Sequence, residues 1–105
     1  MGIIKVSSTN YMEQVEKNSK LVLLDFYADW CGPCQMVAPV LEEVAREKAE
    51  KVQIGKVDID VDRQLASKFK VMSIPTLVLL KNGEVVQTLI GAQSKQTILE
   101  MIDNQ

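Results

Sequence analysis

The stretch Leu21-Val22-Leu23-Leu24-Asp25-Phe26-Tyr27-Ala28-Asp29-Trp30-Cys31-Gly32-Pro33-Cys34 decides the fold. Leu21 to Ala28 is a nearly continuous apolar run, which suits a strand buried on both faces in the middle of a parallel sheet. After Cys31 the period changes. Met36, Val37, Val40, Leu41, Val44 and Ala45 recur at helical spacing, with Glu42 and Arg46 as an i,i+4 pair on the wet side. Pro39 removes one backbone hydrogen bond from this helix and predicts a kink near its start. A buried strand thus runs into a helix, and two cysteines sit at the junction.

That junction carries the chemistry. A cysteine at a helix N-terminus has its thiolate stabilised by free backbone N–H groups and by the helix dipole. The thiolate is the nucleophile in disulfide exchange. Pro33 suits a first helical turn, where its missing N–H costs little. Cys31 is expected to be the exposed attacker on a foreign disulfide. Cys34, one turn further in, is expected to resolve the mixed disulfide. Trp30 offers a flat apolar surface beside them. The alternatives for such a pair are a structural disulfide or half of a zinc site. Zinc wants four ligands, and the chain has no histidine and no third cysteine.

Outward from the junction, strand and helix patterns alternate. Ile3 to Val6 reads as a short strand. Asn10 and Glu13 have the spacing of a helix start, with Tyr11, Met12 and Val15 on one face. Val52 to Ile59 is the next strand. Asp60 or Asp62 caps a short helix whose inner face is Leu65, Ala66 and Phe69. Thr76 to Leu80 is a strand, and Asn82-Gly83 turns it tightly into Val85 to Ile90. Ser94 caps a last helix with Ile98, Met101 and Ile102 inward. The order is β-α-β-α-β-α-β-β-α, an α/β layer fold wound by parallel crossovers and ending in an antiparallel hairpin.

Composition bounds the function. A chain of 105 residues with 47% apolar and 25% charged residues has the balance of one globular domain. Net charge is −2, which provides no basic footprint for nucleic acid or a membrane surface. No apolar run approaches the ~18 residues of a membrane helix. The start at Met1 lacks a signal-peptide pattern and fails the myristoylation pattern at Val6, so the expected location is cytoplasmic. Without histidine, Cys-His and Ser-His-Asp catalysis are excluded. Asp58, Asp60 and Asp62 alternate as in a calcium loop, but Arg63 and Phe69 stand where that loop needs Gly and Glu. No Gly-rich loop supports phosphate or dinucleotide binding.

The chain resembles the thioredoxin family over nearly its whole length. The residues that carry the resemblance are Phe26 to Cys34 with Pro39 after them, then Ile74-Pro75-Thr76, Lys81-Asn82-Gly83, and Gly91-Ala92 before the last helix. A C-x-x-C pair beside a βαβ pattern is itself the known signature of this family. The resemblance implies a thioredoxin fold over residues 1–105 as a single domain. That fold is a central mixed sheet of about five strands flanked by about four helices. It implies protein-disulfide reduction through Cys31, Gly32, Pro33 and Cys34, with no cofactor and no metal. The implied partners are a thioredoxin reductase and proteins bearing disulfides; the protein is expected to be a monomer.

Asp25 is the oddest residue in the buried run. Burying a carboxylate is costly and raises its pKa. The alternative is a bulge or strand end that lets it reach water. The resemblance implies that Asp25 lies under the cysteines and accepts the proton of Cys34. It pairs Lys56 with that aspartate, whereas the pattern alone fits an exposed strand-edge lysine equally well. Pro75 reads from sequence only as a turn or strand start. The resemblance implies that it is cis and faces the cysteines. It further implies that the Ile74 backbone pairs with an extended substrate segment, and that Ile90, Gly91 and Ala92 complete an apolar rim with Trp30. Gly91 fits a strand terminator as well.

Two positions depart from the commonest family pattern. Tyr27 stands where many members have tryptophan, and Met72-Ser73 where a basic residue and a glycine are frequent. Two rival functions share the motif: a thiol oxidase or isomerase of the same fold, and a binding subunit in which redox is incidental. Gly-Pro between the cysteines favours the reductant.

Overall fold

The computed structural model describes residues 2–105. Met1, where the reading of a leaderless start begins, lies outside them. The chain runs through β1 (Ile4–Lys5), a π-helical turn (Met12–Glu16), β2 (Leu21–Tyr27), α1 (Gly32–Glu47), β3 (Val52–Asp58), α2 (Arg63–Lys68), β4 (Thr76–Lys81), β5 (Glu84–Ile90) and α3 (Lys95–Asp103). The strands form one sheet in the order β1-β3-β2-β4-β5. β3 pairs parallel with β1 and β2, while β4 is antiparallel to β2 and β5. This is the expected mixed sheet, and its element order is the expected one.

Side-chain alternation along β2 splits the core in two. Leu21 and Leu23 face α1 and α3, where they meet Val37, Leu41, Val44, Ile98 and Ile102. Val22, Leu24 and Phe26 face the other way, onto Tyr11, Val15 and Leu65. Phe69 closes that second layer, its ring 5.4 Å from Phe26 and 6.0 Å from Tyr11. Each fully buried aliphatic or aromatic side chain stabilises the fold by about 1.5–3 kcal/mol. The same alternation turns Asp25 toward the α1 layer. It is paired mid-strand with Lys56 on one side and Leu77 on the other, so neither a bulge nor a strand end exposes it.

Local signals fall largely where expected. The Ser94 hydroxyl accepts from the Thr97 N–H at 3.1 Å, and Asp62 rather than Asp60 accepts from Leu65 N–H at 2.9 Å. Asn82 (φ 54°) and Gly83 (φ 82°) make the hairpin turn between Lys81 and Glu84. Both central residues need positive φ there, which Asn and Gly tolerate best.

Several expectations need correction. Met36 is 72% exposed, because the buried face of α1 is set by Cys34, Val37, Leu41, Val44 and Ala45. Met36, two residues after Cys34, is rotated by about 200° away from it. Met12 is exposed too, since a π-helical turn changes the helical spacing on which its inward face was read. Asn10 does not reach forward to cap that turn. It reaches back, accepting from Ser7 N–H and donating to the Lys5 carbonyl. Glu42 and Arg46 do not form an ion pair among the described residues; Glu43 and Glu47 instead both hold Lys95 of α3. Lys56 is no edge residue, because β3 lies between β1 and β2.

Candidate functional site

The cysteines occupy the point where β2 hands over to α1. Tyr27 ends the strand, and the loop closes through Cys31 N–H donating to the Ala28 carbonyl at 3.2 Å. Cys31 is extended (φ −90°, ψ 113°) and caps the helix with its own sulfur, which accepts from Cys34 N–H at 3.2 Å. Pro33 occupies the first turn, where an N–H has no partner to lose. Cys31 and Cys34 are joined as a disulfide, their Cα atoms 5.3 Å apart. A negative charge left on Cys31 after reduction faces the positive end of a 16-residue helix and the Cys34 amide.

One expectation about Cys31 fails. It is not exposed in this state but 4% accessible, the same as Cys34. It lies in a small apolar cluster with Cys34, Ala28, Tyr27, Ile59 and Ile74. What separates the two sulfurs is position. Cys31 caps the helix, whereas Cys34 lines a cleft of about 150 Å³ running under the site.

That cleft brings Cys34 together with Asp25 and Lys56, and with Tyr27, Gln35 and Ala38. Asp25 is 1% exposed, and its Oδ1 has no hydrogen-bond partner among the described residues. Burial pushes its carboxyl up from the ordinary value to about 6, against a smaller opposing pull from Lys56. The Lys56 ammonium lies 4.4 Å from the centre of the Tyr27 ring, a cation–π contact. Burial raises the Tyr27 phenol, and the charges of Asp58, Asp29 and Asp25 raise it further.

The remaining candidates lie around the disulfide. The Ile74–Pro75 peptide is cis, and Ile74 touches the cysteine cluster. Gly91 N–H donates to the Pro75 carbonyl at 2.8 Å, which ties the end of β5 to the start of β4. Gly91 has φ +91°, a conformation that glycine adopts without strain, and directly follows the last residue of β5. Ile90 and Ala92 flank it and are exposed. Trp30 is 70% exposed and donates from Nε1 to Asp60 Oδ2 at 2.8 Å.

Sequence reasoning missed three of these roles. Asp60 reads from sequence as a helix cap or as part of a calcium-like triplet, yet it holds the indole. Tyr27 reads from sequence only as a departure from the commonest family pattern, yet it walls the cleft and carries Lys56. Ile59 looked like the end of a strand, yet it packs on the cysteines. Only a cross-chain contact reveals each of them, and one-dimensional spacing carries no such signal. The three alternating aspartates are each engaged: Asp58 by Asp60 N–H, Asp60 by Trp30, and Asp62 by Leu65 and Ser8.

Comparison with known proteins agrees with this geometry. The sequence pattern of the family described as Thioredoxin matches residues 2–104. A thioredoxin of Staphylococcus haemolyticus is 48% identical over 103 residues, covering 98% of this chain and 97% of its own. One of Bacillus subtilis is 45% identical with the same coverage, and one of Mycobacterium tuberculosis is 45% identical over 96% of this chain and 87% of its own. With a Cys31–Cys34 disulfide at the head of α1 and this likeness over almost every residue, the chain belongs to the thioredoxin family of disulfide oxidoreductases.

Proposed function

We propose that the protein reduces disulfides in other proteins, with Cys31 as attacking and Cys34 as resolving sulfur. The observation that carries this division of labour is the asymmetry of the pair: Cys31 caps the helix, and Cys34 opens onto the cleft that holds Asp25. The Cys31 thiolate attacks one sulfur of the target disulfide. A Cys31–target disulfide forms, and the other target cysteine leaves as a thiolate. Cys34 then gives its proton to the Asp25 carboxylate, directly or through water, and attacks the Cys31 sulfur. The Cys31–Cys34 disulfide forms, and the second target thiolate departs.

Asp25 suits this task because its carboxyl is held at about 6, nearer to a thiol than an ordinary aspartate. Lys56 limits that rise and keeps the carboxylate accessible near neutral pH. The substrate segment docks along the Ile74 backbone beside Pro75, with Trp30, Ile90, Gly91 and Ala92 as its apolar rim. A thioredoxin reductase returns the pair to the dithiol, and the protein works as a cytoplasmic monomer. No helix among the described residues is long and apolar enough to cross a membrane.

Trapping tests the roles of the sulfurs. A Cys34→Ser variant should accumulate a mixed disulfide with a disulfide-bearing protein through Cys31, seen by mass, and Cys31→Ser should not. Accumulation in the Cys31→Ser variant alone would reverse the assignment.

A further inference from the structure

A groove of about 670 Å³ runs beside the cysteines, between α2 and the segment that leads into Pro75. Its floor is apolar, formed by Ile59, Ala66 and Val71, and Met72 stands at its edge, 93% exposed. Its rim carries two cations, Arg63 and Lys70. Neither enters an ion pair among the described residues, which leaves both free to meet an incoming anion. The one acidic group lining the groove, Asp60, accepts from the Trp30 indole, so two cations face one carboxylate along the rim.

The groove is continuous with the redox site in three places. Ile59 packs in the cysteine cluster, Asp60 holds Trp30, and Met72 lies two residues before Ile74. Lys70 has a further peculiarity. Its φ is +56°, in the left-handed region where a glycine would sit without strain. It follows the Phe69 cap of α2, and Lys70 N–H and Val71 N–H donate back to the Ser67 and Ala66 carbonyls. The backbone there ends a helix in the manner that glycine usually serves. A long cationic side chain occupies the position instead, at the groove's edge.

We infer that this groove is a specificity subsite for disulfide-bearing segments that combine acidic and apolar residues, with Arg63 and Lys70 as the residues that select the acidic ones. The inference rests on the disulfide-reductase reading above and names its preferred substrate. The apolar floor takes an aliphatic or aromatic side chain next to the substrate cysteine. The two unpaired cations meet carboxylates beyond it. Both are exposed, so each contributes as a surface pair does, roughly two- to fivefold in rate or affinity, and salt weakens the preference.

The test uses the full chain, reduced with a dithiol and freed of excess reductant. It is mixed with three peptides that share one internal disulfide and a leucine beside it, flanked by Glu-Glu, Gln-Gln or Lys-Lys. Single-turnover reduction is followed by thiol mass shift at low and high salt. The inference expects the Glu peptide to react roughly five- to twentyfold faster than the Lys peptide at low salt. The double variant Arg63→Gln, Lys70→Gln should lose most of that ratio, and high salt should shrink it in the parent. Equal rates for the Glu and Lys peptides, or a ratio that survives in the variant, would overturn the inference and leave the reductase reading standing. Failure to reduce any of the three would overturn the reductase reading and the inference with it.

Discussion

Asp25 on β2 and Lys56 on β3 are register partners across the sheet, yet the Lys56 ammonium lies over the Tyr27 ring rather than on the Asp25 carboxylate. The lysine is near enough to pull the Asp25 carboxyl down, but burial pushes harder, and one carboxylate oxygen has no hydrogen-bond partner among the described residues. The result is a buried acid held near pH 6 beside Cys34.

The sign of that shift fixes a stability prediction. The folded pKa of Asp25 is raised from 3.8 to about 6, so the folded state binds more protons than the unfolded state between those values. Stability falls as pH rises through that window and stays reduced above it, by up to about 3 kcal/mol. Asp25→Asn should therefore be more stable than the parent at pH 7, by about 1–3 kcal/mol, and the gain should vanish below about pH 4. Urea unfolding at both pH values measures it. An Asn variant equally stable or less stable at pH 7 would contradict the burial account.

The same substitution should slow exchange. A positioned base commonly contributes about 10²–10⁴-fold, and solvent can replace part of it here, so we expect resolution of the mixed disulfide to slow by roughly tenfold. Stopped-flow decay of a preformed Cys31 mixed disulfide isolates that step. Unchanged decay would remove Asp25 from the proton path.

Lys56→Gln removes the charge that pulls the Asp25 pKa down. The pH at which resolution reaches half its maximal rate should move upward relative to the parent. A profile that does not move, or moves down, would show that Lys56 is too distant in solution to act on the carboxyl.

Two backbone positions yield predictions free of the redox chemistry. Lys70→Gly should stabilise the fold by about 0.5–1 kcal/mol, since relief of a left-handed lysine exceeds the extra chain entropy of glycine. Gly55→Ala should destabilise it by about 1–3 kcal/mol. A Cβ there would stand 2.6 Å from Val6 Cγ2 and 3.2 Å from Leu24 Cδ2, and the branched, buried Val6 has little room to withdraw. Denaturant midpoints decide both.

Much of this architecture was legible from local pattern. The apolar run Leu21 to Ala28, the Asn82-Gly83 turn and the Ser94 cap each encode their structure within a few residues. The helix-capping position of Cys31 was legible for the same reason. What pattern could not resolve depends on contacts between distant segments. Whether Asp25 was buried or wet turned on its being flanked by both β3 and β4. Whether Asp60 or Asp62 capped α2 turned on Trp30, which claims Asp60 from thirty positions away. The left-handed lysine at Lys70 and the crowding at Gly55 leave no mark in composition or period. Cys31 is not exposed as the motif suggests because Ala28, Ile59 and Ile74, from three separate segments, pack around it.

The reduction potential of the Cys31–Cys34 pair tests the central claim most directly. The protein would be equilibrated in graded dithiol buffers, acid-quenched, and its free thiols counted by mass shift. A disulfide reductase should give a value near about −270 mV, the established value for thioredoxin itself. A value near about −150 mV, toward the oxidising end of the fold's range, would contradict the account and make the protein an oxidase or isomerase.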